Sequence, residues 1–279
     1  MKIKFIQLFI VCFVAGLSAQ QKRTIGSVER LHADMDLFVP QSAEIEILAE
    51  GFEWSEGPVW VEPLNAVLFS DVPKNKIYKW DEKNGLTVFL DPSGFTGIAP
   101  REKKGSHNAM NRDESGSNGL TLDQNGQLVI CMHGDRRVAR LKDWERKSFT
   151  TVIGKYQDKY FNSPNDLVYA KNGDLYFTDP PYGLKKGDDD PWKELDFNGV
   201  FKLTSRGELS LIIDDLTRPN GVAISNDQKT LYVAISDPKN PRIMAYNIVH
   251  DGVENGRVFF DGNAPVSYTH LTLPTKRIV

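Results

Sequence analysis

One carboxylate and three side-chain amides recur at matching points of this chain. Glu56 opens EGPVWVEPLNAVLFSD, Asn118 opens NGLTLDQNGQLVICMHG, Asn165 opens NDLVYAKNGDLYFTD and Asn220 opens NGVAISNDQKTLYVAISD. Brought to one place, such a set offers hard oxygen donors with little negative charge. That suits Ca²⁺ or Mg²⁺ and tolerates Mn²⁺ or Zn²⁺ less selectively. Asn before Gly is also ordinary turn chemistry. It is the recurrence, with Glu standing once where the others carry Asn, that points to a site.

The remaining reactive residues form weaker groups. His133, Asp71, Asp179 and Asp237 each close the second apolar run of a repeat, where a base could stand. Asp188, Asp189 and Asp190 lack the alternating spacing of an EF-hand and read as a solvated lid. No Gly-x-Ser-x-Gly elbow surrounds any serine, which argues against a serine hydrolase. Cys131 lies in the middle of an apolar run and reads as inert core.

The elements that must carry these residues follow from the repeat itself. After Asn165 an apolar run, Leu167–Tyr169, meets a Lys-Asn-Gly turn and a second run ending on Asp179. Asn-Gly between two apolar runs is a strong hairpin signal. Repetition near the roughly 40–50 residues that a blade occupies predicts an all-β fold, a β-propeller. Four strands are expected per blade. Blade one takes Pro58–Val61, Ala66–Ser70, Lys76–Trp80 and Leu86–Leu90; blade two takes Gly119–Leu122, Gln127–Cys131, Arg137–Leu141 and Ser148–Ile153. Blade three takes Asp166–Tyr169, Asp174–Thr178, Gly199–Leu203 and Glu208–Ile213. Blade four takes Gly221–Ile224, Thr230–Ile235, Arg242–Ile248 and Gly256–Phe260. Antiparallel order puts the entrance of each first strand and the exit of each second strand at one end. The four opening residues and the insertions Asp91–Ser117 and Leu184–Phe197 should therefore share one mouth of the channel. Ala43–Ala49 alternates without a partner in the first repeat and is expected to close a complete ring, and to stand loose or wrongly paired where the ring stays open.

Composition bounds the rest. A formal charge of −3 with no basic run excludes an electrostatic nucleic-acid binder. Lys2 and Lys4 precede an apolar stretch from Phe5 to Leu17 and then Ser18 and Ala19, the layout of a signal peptide. The apolar stretch is short for a bilayer span. The expected product is a secreted or periplasmic protein, off the membrane once cleaved. Cys131 then stands alone, so no intramolecular disulfide can form. The expected organisation is a signal peptide over 1–19, a lead-in over 20–42, the propeller over 43–262 and a tail over 263–279.

The blocks Glu56-Gly-Pro-Val-Trp60, Phe69-Ser-Asp71, Ser163-Pro-Asn-Asp166, Phe177-Thr-Asp-Pro-Pro-Tyr-Gly183 and Arg218-Pro-Asn-Gly221 resemble the SMP-30/gluconolactonase/luciferin-regenerating-enzyme-like family, its bacterial gluconolactonases most of all. The resemblance, from about Ile45 to Gly262, implies a six-bladed β-propeller with one divalent metal, calcium before Mg, Mn or Zn, that hydrolyses sugar lactones. It implies Glu56 and Asn220 as metal ligands and Asn165 as substrate contact or third protein ligand. Asn118 would line the pocket, with His133 at the same mouth. No obligate protein partner is implied. The family's next repeat should open with an Asp in a Pro-Asp-Gly context, the likeness's general base. Here Phe260-Asp-Gly-Asn263 runs instead into APVSYTHLTLPTKRIV, which resembles translated adaptor sequence. Asp179 and Asp166 are the carboxylates left to nominate as base. About four blades in an open arc and an inactive chain are the expectation. A non-catalytic propeller that binds a sugar or a partner at the same mouth is the alternative.

Overall fold

The computed structural model describes residues 22–30, 32–100 and 114–263. The expected signal peptide, nearly all of the tail and the middle of the first insertion lie outside the described residues. The chain divides into two compact units, Met1–Leu48 and Ala49–Val279.

In the first unit, Ala33–Leu37 forms a short 3-10 turn capped by His32, whose Nδ1 accepts from the Asp34 amide. Arg30 donates to Asp36 and to the Val39 carbonyl. Ala43–Ala49 makes no regular strand. Glu46 forms an isolated antiparallel bridge with Thr24, flanked by Ile25 N to Ile45 O and Ile47 N to Arg23 O. Ile45 O and Ile47 N are thus taken within the unit, and the segment joins none of the described four-stranded sheets, as expected of an open arc.

The second unit holds four antiparallel four-stranded sheets in chain order. The first comprises β1 (Ser55–Val61), β2 (Ala66–Asp71), β3 (Lys76–Asp81) and β4 (Gly85–Leu90). The second comprises β5 (Ser117–Leu122), β6 (Leu128–Met132), β7 (Arg137–Asp143) and β8 (Ser148–Ile153). A short hairpin unforeseen in the sequence, β9 (Lys155–Tyr156) and β10 (Lys159–Tyr160), leads onward. The third sheet comprises β11 (Leu167–Tyr169), β12 (Leu175–Asp179), β13 (Gly199–Leu203) and β14 (Leu209–Ile213). The fourth comprises β15 (Pro219–Ile224), β16 (Thr230–Ile235), β17 (Arg242–Val249) and β18 (Gly252–Asp261). All sixteen expected strands are present, with small shifts at their ends; β18 alone starts well before its expected Gly256.

The sheets stack as blades because their inner strands are apolar on both faces. In β6, Leu128, Ile130 and Met132 join Leu68 and Ile77 of the first blade, while Val129 and Cys131 join Leu175 and Phe177 of the third. Tyr176, on the other face of β12, packs with Val222, Leu231 and Val233 of the fourth. Period-two alternation therefore feeds two cores from one strand. Among the described residues no apolar core joins the fourth blade to the first.

Innermost strands cross at close range, and glycine permits it. A Cβ on Gly57 would sit 2.4 Å from the Asn118 carbonyl oxygen, and one on Gly119 would sit 2.7 Å from that of Asn165. Gly119→Ala should therefore cost about 2 kcal/mol by overpacking, read as a lower urea midpoint with unchanged slope. An unchanged midpoint would show that the blades can spread.

Candidate functional site

Three of the four blades reach the mouth through a bulge in the first strand. Between Glu56 and Val59 the register of β1 slips against β2, leaving Gly57 and Pro58 opposite Phe69. The same slip leaves Asn118–Gly119 in β5 and Asn220–Gly221 in β15 opposite one residue each. In the third blade Thr178 O accepts from Asn165 N, while Thr178 N donates to Asp166 O. Bulges bend a strand and re-aim its side chains. Asn118-Gly119 and Asn220-Gly221 are thus bulges within strands rather than turns.

The backbone carbonyls of these asparagines are consumed by the preceding blade. Ser70 Oγ donates to Asn118 O at 2.8 Å, Gly119 N to Asn165 O at 2.7 Å and Thr178 Oγ1 to Asn220 O at 2.6 Å. The side chains are what remains for chemistry. Asn118 Nδ2 donates to His133 Nδ1 at 3.3 Å, and Asn220 Nδ2 donates to Ser236 Oγ at 3.2 Å. An amide nitrogen only donates, so both anchors leave the oxygen end for a cation or a substrate hydroxyl. Asn165 is buried beside them.

Two carboxyls complete the set. Glu56 Oε1 accepts from Trp54 Nε1 at 2.8 Å. Some solvent still reaches this side chain, yet burial pushes its pKa up to about 7, helped by the nearby charges of Asp166 and Glu114 and opposed by the Trp54 bond. Asp166 Oδ2 accepts from Val222 N and Oδ1 from Leu167 N, both at 2.9 Å. Burial raises it to about 6 against those two bonds. Asp166 thereby ties the third blade to the strand of Asn220, and its charge is felt at Glu56. Trp54 escaped the sequence reading, although its position two residues before Glu56 puts both on one face of an extended chain.

Other expected site residues take supporting places. Asp179 is fully buried; Oδ2 accepts from Asn162 N and Oδ1 from Ser163 N, each at 2.7 Å. Asp71 holds Glu53 N and Trp54 N in the same way. These carboxylates clamp the backbone that leads into the first strand, and Asp179 is wholly out of solvent where Asp166 is partly exposed, which leaves Asp179 the poorer of the two as a base. Burial nevertheless raises Asp179 to about 7. His133 is fully buried behind Asn118, and a Cβ on Gly183 would lie 2.2 Å from its ring. It supports Asn118 rather than standing open at the mouth. Asp190 is buried and accepts from Lys186 N and Trp192 N, which anchors the turn, while Asp188 and Asp189 are exposed as expected of a solvated loop.

Both insertions start from the mouth end. Asn75 Oδ1 gathers the amides of Ser93, Gly94 and Phe95, and Asp135 Oδ1 those of Thr96 and Ile98. Asn75 and Asp135 sit in the turns that follow β2 and β6. Arg136, 1% exposed, ties the insertions together. It donates to the carbonyls of Phe161 and Pro100 and pairs with Glu194 at 3.5 Å.

The raised carboxyls fix the sign of a pH effect. Unfolded carboxyls release their protons near pH 4, whereas Glu56, Asp166 and Asp179 hold theirs to about 7, 6 and 7 in the folded chain. Between these limits the folded state binds more protons, so stability falls as pH rises. Asp81 and Asp227, held low by hydrogen bonds, act only below that window. The Tm of chelator-treated protein should decline from pH 5 to 8. A rising Tm would contradict the burial of these groups.

Residues 54–267 match the model of the SMP-30/Gluconolactonase/LRE-like region. A gluconolactonase of Zymomonas mobilis is 40% identical over 234 residues, covering 84% of this chain and 63% of that protein. The chain thus spans less than two thirds of that relative's length. A gluconolactonase structure from Xanthomonas campestris superposes with a TM-score of 0.67 at 29% identity, covering 85% of this chain and 70% of that one. Regucalcin of Agrobacterium tumefaciens, a calcium-binding protein, superposes at 0.55 with 16% identity, over 79% and 64%. At that identity the likeness concerns the fold alone.

Proposed function

Because the chain belongs to the SMP-30/Gluconolactonase/LRE-like family, we propose that its mouth hydrolyses sugar lactones with a divalent cation, in a protein exported from the cytoplasm. The observation that carries this reading is the shared treatment of the entrance amides. Asn118 and Asn220 are each aimed by a bulge and have their nitrogens tied back so that oxygen is presented. Glu56 adds the anionic charge that such a site needs.

Among the described residues no three acidic, histidine or cysteine side chains gather as a conventional metal cluster. A set of one carboxylate with amide oxygens nevertheless fits a hard cation. Burial of Glu56 and Asp166 near each other leaves negative charge that a cation would relieve. Glu56, Asn220 and Asn165 would hold it. A bound divalent ion polarises an ester carbonyl and acidifies water. The chain's own residues do the rest. Asn118, backed by His133, offers its amide oxygen to a substrate hydroxyl. Asp166, whose oxygens keep a second lone pair beyond their backbone bonds, is our choice to take the proton from the attacking water. The ring oxygen leaves as the lactone opens to a hydroxy acid.

The test is hydrolysis of an aldonolactone, followed by acid release. Activity should vanish with chelator and return with Ca²⁺, Mg²⁺, Mn²⁺ or Zn²⁺. Turnover that survives exhaustive chelation would refute the cation-dependent form of the reading.

A further inference from the structure

Asn220 is held from two sides by groups that the proposed reaction does not use. Its carbonyl oxygen accepts from Thr178 of the neighbouring blade, and its amide nitrogen donates to Ser236 Oγ just past β16. Ser236 Oγ also lies 2.5 Å from the hydroxyl of Tyr182, which the third blade supplies through the loop after β12. Tyr182 is held in turn by Arg218, whose guanidinium lies over its ring at 5.6 Å from the centroid. Ser236 N donates to the Arg218 carbonyl, closing the group.

A side-chain amide is nearly symmetric in shape, so rotation by half a turn exchanges oxygen for nitrogen at almost no steric cost. A site that needs the oxygen must therefore fix the nitrogen elsewhere. When the Ser236 hydroxyl donates to Tyr182, only its lone pairs face Asn220, and they take the amide nitrogen. Ser236 and Tyr182 so meet that need from two different blades, and Ser236 is exposed, so core packing does not explain its place. We infer that Ser236 and Tyr182 are positioning residues that hold the Asn220 amide with its oxygen toward the mouth. The catalytic consequence rests on the lactonase reading; the positional claim does not.

The experiment uses the whole chain. The Asn220 side-chain NH₂ signals are assigned by their loss in Asn220→Asp and followed by ¹H–¹⁵N NMR. Ser236→Ala and Tyr182→Phe, which keeps the ring beneath Arg218, should each move these signals to positions typical of solvated amides. Ser236→Thr should restore them. Hydrolysis should fall about 10-fold in each variant, the lower end for partners that orient a ligand. The double variant should be no worse than either single, since the two act as one unit. Unmoved Asn220 signals in both single variants, or losses that multiply in the double, would overturn the inference. Wild-type protein that hydrolyses no sugar lactone, yet shows the shifts on substitution, would support the positioning and reject the proposed function. Active wild-type protein with an unresponsive amide would do the reverse.

Discussion

Glu56→Gln should lower lactone hydrolysis at least about a hundredfold, because even the partners that orient a ligand are worth roughly 10–100-fold. The substitution keeps the shape and one acceptor oxygen for Trp54 while removing the anionic charge. The fold should survive it, since this side chain is half-buried and no core packs on it. Cation binding supplies a second readout. Calorimetric titration with Ca²⁺ should lose most of its affinity in the variant. The fall of Tm with pH should also flatten, because a group held to about 7 no longer contributes. A variant that keeps wild-type turnover would remove Glu56 from the site. Loss of turnover with unchanged cation affinity would instead move Glu56 from holding the ion to handling protons.

Asp179→Ala should unfold or cripple the protein rather than simply silence it. Its two oxygens hold the amides of Asn162 and Ser163 in a fully buried position. Truncation strands both donors at roughly 1–3 kcal/mol each, about 4 kcal/mol together. That is a large share of the stability of a typical domain. A base of the reaction would behave in the opposite way, giving a stable and dead variant. Urea unfolding alongside turnover per folded molecule separates the two. Asp71→Ala, which breaks the matching clamp on Glu53 and Trp54, should lose stability similarly.

The contrast explains what was legible beforehand. The strands of all four blades could be read because alternation and Asn-Gly turns are local signals, and β6 and β12 carry them plainly. Glu56, Asn118, Asn165 and Asn220 were found by recurrence. Their surroundings were not, because a clamp such as Asp179 on Asn162 looks in sequence like any carboxylate at a strand end. Its role appears only when the strand before it folds back. The bulges were hidden for a similar reason: Asn-Gly reads as a turn until the partner strand sets the register. Asp190 misled because three consecutive acidic residues suggest solvent, while its carboxylate caps two amides of its own loop.

Arg136 has a consequence for how such proteins can diversify. Its guanidinium spans Pro100 in one insertion and Glu194 in the other, with Phe161 between. Exchange of either insertion alone between homologues would leave this buried cation short of one partner, a defect that selection removes. The two loops beside the mouth are therefore expected to travel through recombination as a linked pair, with Arg136 as the marker of their common descent. Libraries that seek new lactone preferences should graft both insertions together with residue 136, since single-loop chimeras would be lost to misfolding before their specificity could be seen.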